Sequence, residues 1–144
     1  DGEDVTDAIR LPEMSLYASR VSALPAVRAF LLEMQRDMAR RCSVIMDGRD
    51  IGTVVLPQAD VKIFLTAAPE DRARRRYEEL IARGTPTPYP ELLEEIRQRD
   101  YNDSHRSAAP LRPAEDAVCL DTTGNTFEQS RDQILAIIKE RVNL

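Results

Sequence analysis

Hydrophobic positions recur at steps of three and four residues in the first third of the chain, which is the spacing of one helical face. This stripe extends over residues 16–38. Pro25 interrupts it, and proline is tolerated in a first helical turn but is costly inside a helix. The pattern therefore predicts two helices, one that ends near Ser22 and one from about Pro25 to Arg40.

Three short apolar runs follow, and none alternates between apolar and polar positions as a strand wetted on one face would. They cover residues 44–46, 61–65 and 117–120. Two helical patterns lie between the second and third runs, one over 69–83 that Gly84 stops, and one from Pro90 to at least Arg99. Short buried strands that alternate with helices predict an α/β fold with a parallel sheet.

The segments beside these helices have their own signals. Residues 85–90, Thr-Pro-Thr-Pro-Tyr-Pro, hold too many prolines for a helix or a central strand and indicate the stiff tip of a projecting flap. A last helix is predicted from Thr126, because Thr126 and Gln129 have the spacing of a capping box and an apolar face follows.

Composition narrows the classes of function. With 42% apolar and 31% charged residues, the 144 residues can form one globular domain of common size. The net charge of −5 disfavours a nucleic-acid binder, which is usually basic. No apolar run approaches the roughly 18 residues of a membrane span, so a cytoplasmic protein is expected. Cys42 and Cys119 lie beside apolar runs and are expected to be buried free thiols.

Asp47-Gly48-Arg49-Asp50 follows the first apolar run directly. In open parallel sheets, ligands bind beyond the carboxyl ends of the strands. Gly48 would allow a tight or left-handed turn, Arg49 could present its planar fork, and Asp50 is an acceptor. The alternative is a surface turn with solvated charges, which the tetrapeptide by itself favours.

Arg99, Asp103 and Arg106 have the spacing i, i+4, i+7, which places them on one face of a helix that continues through them. They could form an exposed ion-pair ladder, or a phosphate clamp whose aspartate also holds a sugar hydroxyl. Of the 20 basic residues, 18 are arginine, the side chain that grips phosphate bidentately. A biased genome would give the same composition.

A run of arginines lies on the helix before the flap. It consists of Arg72, Arg74, Arg75 and Arg76. A basic helical face is usually solvated, but arginines on both limbs of a flap would also suit closure over a polyphosphate.

Four sequence segments together indicate a protein family. They are SRVSALPAVR at 19–28, DGRDIGTVV at 47–55, RARRR at 72–76, and RDYNDSHR at 99–106 followed by APL at 109–111. In order and spacing they resemble the bacterial cytidylate kinases over essentially the whole chain. The resemblance implies a three-layer, P-loop kinase-like parallel sheet flanked by helices, with a lid and part of a nucleotide-monophosphate-binding insertion. It also implies transfer of the γ-phosphoryl group of ATP to CMP or dCMP with Mg²⁺, by a protein that is a monomer when full length.

The resemblance assigns roles to individual residues. Ser19, Arg28 and Asp50 would read the cytosine, Arg49 and Arg106 would hold the CMP phosphate, Asp103 would hold the ribose, and Arg99 with Arg72, Arg75 and Arg76 would hold the phosphates in transfer. Cytosine presents an amine to an acceptor such as Asp50, whereas uracil would present an oxygen. Asp47 is either the acid that holds Mg²⁺ through water, catalytic together with Arg49 and Arg99, or a turn aspartate.

The same resemblance divides the chain into four regions. They are the end of the nucleotide-monophosphate region with its helices (1–40), the core strands with the DGRD motif (41–71), the lid with its flanking helices (72–108), and the last strand and helix (109–144).

One departure from the family is large. No G-x-x-x-x-G-K-[ST] motif occurs, and neither Lys62 nor Lys139 follows a glycine pattern. In the family that loop follows the first strand, and this chain begins with Asp1 rather than Met. The expectation is a chain that lacks the first strand and the P-loop and has weak or no kinase activity alone. A non-catalytic CMP-binding module and a piece that works only beside a partner chain are the alternatives.

Overall fold

The structure of the chain, a computed structural model, describes residues 2–10 and 12–142. It divides into two compact units, Asp1–Ile45 and Met46–Leu144. The first unit is helical, and the second contains a small parallel sheet together with helices. The predicted mixed α/β class is therefore confirmed, while the finer division into four regions stays a prediction.

The first unit consists of a 3-10 turn, Ala8–Arg10, and two helices that pack together, α1 (Pro12–Ser22) and α2 (Pro25–Arg41). Leu24 has an extended backbone, with φ −69° and ψ 125°, and Pro25 starts α2. Proline fits there because a first helical turn needs no amide donor from that residue. The predicted break between two helices is confirmed, although the side chain of Leu16, where the stripe begins, lies outside the described residues.

The sheet of the second unit contains two parallel strands, β1 (Ile63–Thr66) and β2 (Val118–Asp121). Ile63 lies opposite Val118 and Thr66 lies opposite Asp121. The amide of Thr122 extends the ladder by donating to the carbonyl of Thr66 at 2.8 Å. The second and third apolar runs thus form strands, shifted by one or two residues from the prediction.

The strand predicted at residues 44–46 is wrong. Within the part of the chain that the structure describes, β1 and β2 pair only with each other, and residues 43–47 belong to no strand. Ile45 is 98% exposed. A strand exists only where a neighbour accepts and donates its backbone hydrogen bonds, and an apolar run does not supply that neighbour. Two strands leave the finer P-loop kinase-like architecture untested.

The expectation of strands buried on both faces is also wrong. Along β2, half-buried Val118 and Leu120 alternate with exposed Cys119 and Asp121. Every second side chain of a strand points to the opposite face, so an open face leaves those positions in solvent. Cys119 is exposed for this reason. Both Cys119 and Cys42 are free thiols, as expected, but both are exposed rather than buried.

Two helices between the strands, α3 (Pro69–Ala82) and α4 (Tyr89–His105), pack against each other. Gly84, at φ +72°, follows the end of α3 in the left-handed region that glycine favours. The proline-rich segment is shorter than predicted, because Tyr89 and Pro90 form the first turn of α4. The described apolar side chains that are most buried in this unit are Val55, Ala73, Leu80 and Leu92.

The last helix, α5 (Phe127–Val142), has the predicted capping box. The amide of Gln129 donates to Thr126 Oγ1 at 3.2 Å, and the amide of Thr126 donates to Gln129 Oε1 at 2.8 Å. Of the helices in the described ranges, none combines the length and the apolar character that a membrane crossing requires.

Candidate functional site

Residues 48–50 form a series of bends and lead into a π-helical turn, Ile51–Val55. Of the two turns that Gly48 would allow, the left-handed one is not present, since Gly48 has no positive φ. The glycine provides room instead, since a Cβ built on Gly48 would lie 2.9 Å from Ile51 Cγ1. Gly48 therefore lets the bend pack against the π-helical turn.

Asp103 is the buried centre of the site. It lies in the last turn of α4, and its residue is 5% exposed. Arg49 Nε donates to Asp103 Oδ2 at 3.0 Å, and Arg99 Nε lies 3.9 Å from the same oxygen. The predicted common face of Arg99 and Asp103 is confirmed. An exposed ladder is excluded, because the carboxylate is buried and a third residue from another segment reaches it.

Arg106 reaches the site by a different route from the predicted one. Helix α4 ends at His105, and Arg106 has an extended backbone with φ −64° and ψ 143°, so the helical face does not continue to position i+7. Its Nε donates to the carbonyl of Ala109 at 2.6 Å, and its Nη2 lies 4.0 Å from Asp50 Oδ1. That buried Nη2 makes no hydrogen bond to any residue that the structure describes.

Five side chains form what we call the arginine cluster: Arg49, Asp50, Arg99, Asp103 and Arg106. It holds three guanidiniums against two carboxylates. Burial, and next the charge of Arg49, lower the pKa of Arg99 below its ordinary value. Three guanidiniums close together and a buried donor without an acceptor are properties of a site for an anion such as phosphate.

The arginines of α3 contact acceptors of the protein itself. Arg72 pairs with Asp100 on α4, and Arg74 and Arg75 both pair with Asp71 on their own helix. Arg75 also donates to the carbonyl of Thr122 at 2.7 Å, and Arg76 lies 3.3 Å from Glu79. Binding of ATP phosphates by Arg72, Arg75 and Arg76 stays a prediction.

Sequence reasoning missed Asp100 as the partner of Arg72. The two residues lie 28 positions apart, and the chain offers many carboxylates. Opposite charge alone cannot select one pair among them. Only the packing of α3 against α4 brings this aspartate and this arginine together.

Asp47 is exposed and lines a cavity of about 140 Å³ together with Arg49, Lys62 and Arg112. This volume is below the roughly 300–1,000 Å³ of a typical ligand pocket. Mg²⁺ is usually held by one or two carboxylates with water and nucleotide phosphates, so Asp47 fits one such position. Across the described residues, no group of three or more His, Cys, Asp or Glu side chains forms a metal cluster.

Among the described residues, neither Lys62 nor Lys139 lies where a cradle for the ATP phosphates would need a lysine. The side chain of Lys62 is 7% exposed, and its Nζ donates to Asp116 at 2.7 Å. Lys139 lies in the last turn of α5, where a helix presents carbonyls rather than the amides that bind phosphate.

Ser19 and Arg28 lie in the first unit. Ser19, on α1, accepts a hydrogen bond from Ser22 Oγ at its carbonyl, at 3.0 Å. Arg28 lies in the first turn of α2, where its Nη1 donates to the carbonyl of Ser22 at 3.4 Å. Their predicted role in reading cytosine stays a prediction.

Fold and site together define an α/β protein with an arginine cluster suited to a phosphate anion. The family profile described as cytidylate kinase matches residues 1–140. Three similar proteins are all named cytidylate kinase, from Caldicellulosiruptor saccharolyticus (53% identical over 137 residues), Fervidobacterium nodosum (49% over 144) and Geobacter sulfurreducens (52% over 141). The chain belongs to the cytidylate kinase family, which confirms the resemblance found in its four motifs.

These matches cover most of the chain but only part of the relatives. They include 95%, 100% and 98% of this chain, and 61%, 66% and 60% of the three relatives, in the same order. The chain thus spans about three fifths of the length of the proteins that it matches.

Proposed function

We propose that the complete protein containing this chain transfers the γ-phosphoryl group of ATP to CMP or dCMP, giving CDP or dCDP. In this proposal the chain supplies the monophosphate site and the lid. The observation that carries it is the arginine cluster, in which the buried Arg106 Nη2 has no acceptor among the described residues. Nucleotide phosphate oxygens would complete that hydrogen bonding.

The phosphate of CMP would bind Arg49 and Arg106. Both guanidiniums are only partly exposed, at 39% and 18% of their side chains, so their interaction with an anion is screened less than on an open surface. Asp103 would accept from a ribose hydroxyl, since an ionised carboxylate has several lone pairs and can bind a sugar beside Arg49.

Asp50 would accept the amine of cytosine, and its side chain is 13% exposed. With uracil, a carbonyl oxygen would face this partly buried carboxylate, and the mismatch would reject UMP. Ser19 and Arg28 would donate to the other polar atoms of the ring. Their part of the proposal depends on the family resemblance, as does any preference between CMP and dCMP.

The reaction needs no strong general base, because the attacking phosphate oxygen is already anionic near neutral pH. Positioning and neutralisation of charge do most of the work in such a transfer. Arg49 and Arg99 would neutralise phosphate charge within the cluster. Arg75 and Arg76 would reach the phosphates when the lid closes, after exchanging their present acceptors. Mg²⁺, where bound near Asp47, would supply further neutralisation.

The alternative is a non-catalytic CMP-binding module. It is favoured by one observation: the chain retains the arginine cluster while its 144 residues contain no P-loop motif. Both the kinase and the non-catalytic module require CMP binding. They differ only in whether ATP chemistry accompanies it.

Two measurements separate the readings. Calorimetric titration of the chain with CMP, UMP and ATP should show CMP bound more tightly than UMP. CMP-dependent ADP release should appear in the complete gene product, or when the N-terminal segment of a relative is added in trans. CMP binding without ADP release in either assay supports the module. Absence of CMP binding and of ADP release overturns both.

A further inference from the structure

Arg72 connects three elements of the second unit. Its Nε donates to the carbonyl of Ala67, directly after β1, at 3.0 Å. Its Nη1 donates to Asp100 Oδ1 at 2.9 Å, and its Nη2 donates to Asp100 Oδ2. Arg72 itself lies in the first turn of α3, and Asp100 lies on α4. The planar fork of one guanidinium thus joins the end of a strand to two helices.

The position of Asp100 gives this contact its consequence. Asp100 follows Arg99 directly and precedes Asp103 by three residues on the same helix. Residues of an α-helix have fixed angular offsets of about 100° per position, so they turn together. A contact that holds Asp100 therefore limits the rotation of the whole of α4 about its axis. The directions of Arg99 and Asp103 are limited by the same constraint.

A second link between the helices is weaker. Arg97 Nη2 donates to Glu70 Oε1 at 2.6 Å, but both side chains are about half exposed, at 52% and 55%. The pair forms a single hydrogen bond, whereas Arg72 binds both oxygens of Asp100. Exposed single pairs contribute little to structure, so Arg97 is a matched control for Arg72.

We propose that Arg72 is a positioning residue, which acts through Asp100 to hold α4 so that Arg99 and Asp103 face Arg49. The proposal rests on the proposed function, because it explains how the monophosphate site keeps its shape. It also differs from the role of an ATP ligand that the family resemblance suggested for Arg72. In that role the guanidinium of Arg72 would bind phosphate directly, and Asp100 would compete with the phosphate for this guanidinium.

The test compares Arg72→Gln, Asp100→Asn, the double variant and Arg97→Gln. We expect each of the first two to weaken CMP binding roughly tenfold, by analogy with the loss, about 10–100-fold, that follows removal of the hydrogen-bonded partner of a metal ligand. The double variant should bind CMP about as well as either single variant, because both changes remove the same contact. Arg97→Gln should bind CMP within about twofold of the unaltered chain. Arg72→Lys, which keeps the charge but not the fork, should be intermediate.

Kinetics of the complete gene product separate positioning from ATP binding. Positioning predicts that Asp100→Asn raises the KM for CMP and leaves the KM for ATP nearly unchanged. The proposal is overturned if Arg72→Gln raises only the KM for ATP and Asp100→Asn does not weaken the binding of CMP. It is equally overturned where neither variant changes CMP binding.

A readout without nucleotide keeps this test separate from the proposed function. Amide hydrogen exchange in residues 97–105 should be faster in Arg72→Gln and Asp100→Asn than in Arg97→Gln. Equal exchange in all three would contradict the positioning role. If the unaltered chain binds no CMP, the proposed function fails, while this comparison still decides whether Arg72 holds α4.

Discussion

Arg49 Nε lies 3.0 Å from Oδ2 of Asp103, although 54 residues separate the two in the sequence. The contact joins the bend at residues 48–50 to the last turn of α4. Taken separately, the bend resembles a surface turn and the helical motif resembles an ion-pair ladder. Together they form a buried carboxylate with two guanidiniums around it, which neither motif predicts alone.

Asp50 is predicted to set the base preference. Asp50→Asn should reduce the preference for CMP over UMP by about tenfold or more, because an amide side chain can turn either an acceptor or a donor toward the base. Calorimetric titration with both nucleotides measures the ratio. Asp60→Asn, at an exposed position, is the matched control. An unchanged CMP-to-UMP ratio in Asp50→Asn would remove this residue from base recognition.

Arg106 is predicted to bind the phosphate through its fork. Arg106→Lys should weaken CMP binding by about 10–100-fold, because hydrogen bonds to charged groups contribute about 1.5–3 kcal/mol and lysine loses the planar arrangement of donors. Arg131→Lys, on the exposed side of α5, should bind CMP as the unaltered chain does. Affinity for CMP that is the same in both variants would contradict recognition of the phosphate through the fork of Arg106.

Leu80 is predicted to stabilise the second unit. The residue is 2% exposed on α3, so Leu80→Ala should lower the free energy of unfolding by about 2–5 kcal/mol through lost burial and the cavity left behind. Leu135→Ala, at a position that is 45% exposed on α5, should cost much less. Urea unfolding followed by circular dichroism measures both. A similar loss in the two variants would contradict the assigned burial.

Thr126 is predicted to stabilise the start of α5. Thr126→Ala should cost about 1 kcal/mol, since it removes the acceptor of the Gln129 amide at the helix N-terminus. Thr126→Ser keeps a hydroxyl and should recover most of the loss. Thermal unfolding compares the three proteins, and an alanine variant as stable as the serine variant would mean that the cap contributes nothing.

Asp116 is predicted to make stability depend on acid pH. Its hydrogen bond from Lys62 is the main cause that lowers its pKa below the ordinary value of 3.8. A carboxyl with a lowered folded-state pKa adds stability above its unfolded pKa, near 4, and this stability is lost as the pH falls through the folded-state pKa. Asp116→Asn should therefore be less stable than the unaltered chain at pH 7, and the difference should shrink as the pH falls below about 4.

Thermal unfolding at pH 7, 4 and 2 measures this difference. The gap between the two proteins should close on the acid side, because protonated aspartic acid is neutral, as asparagine is. A gap of constant size from pH 7 to pH 2 would show that the charge of Asp116 does not matter.

Local features of the fold were predictable from the sequence for physical reasons. The break at Pro25, the stop at Gly84 and the cap at Thr126 each depend on residues within a few positions of one another. That residues 44–46 form no strand was not predictable, because a strand also needs a neighbour along its length, which an apolar run does not supply. The end of α4 at His105 likewise differs from the continuous helical face that spacing suggested for Arg106.

Some features of the candidate site likewise depend on the sequence alone, and others depend on the tertiary structure. The sequence by itself determined its family and the shared face of Arg99 and Asp103, since motif order and i,i+4 spacing are properties of the chain alone. Tertiary structure decided that Arg49 reaches Asp103, that Arg106 lies beside Asp50, and that Arg72 binds Asp100. These contacts join residues 28 to 56 positions apart, and only packing selects one partner among many side chains of suitable charge.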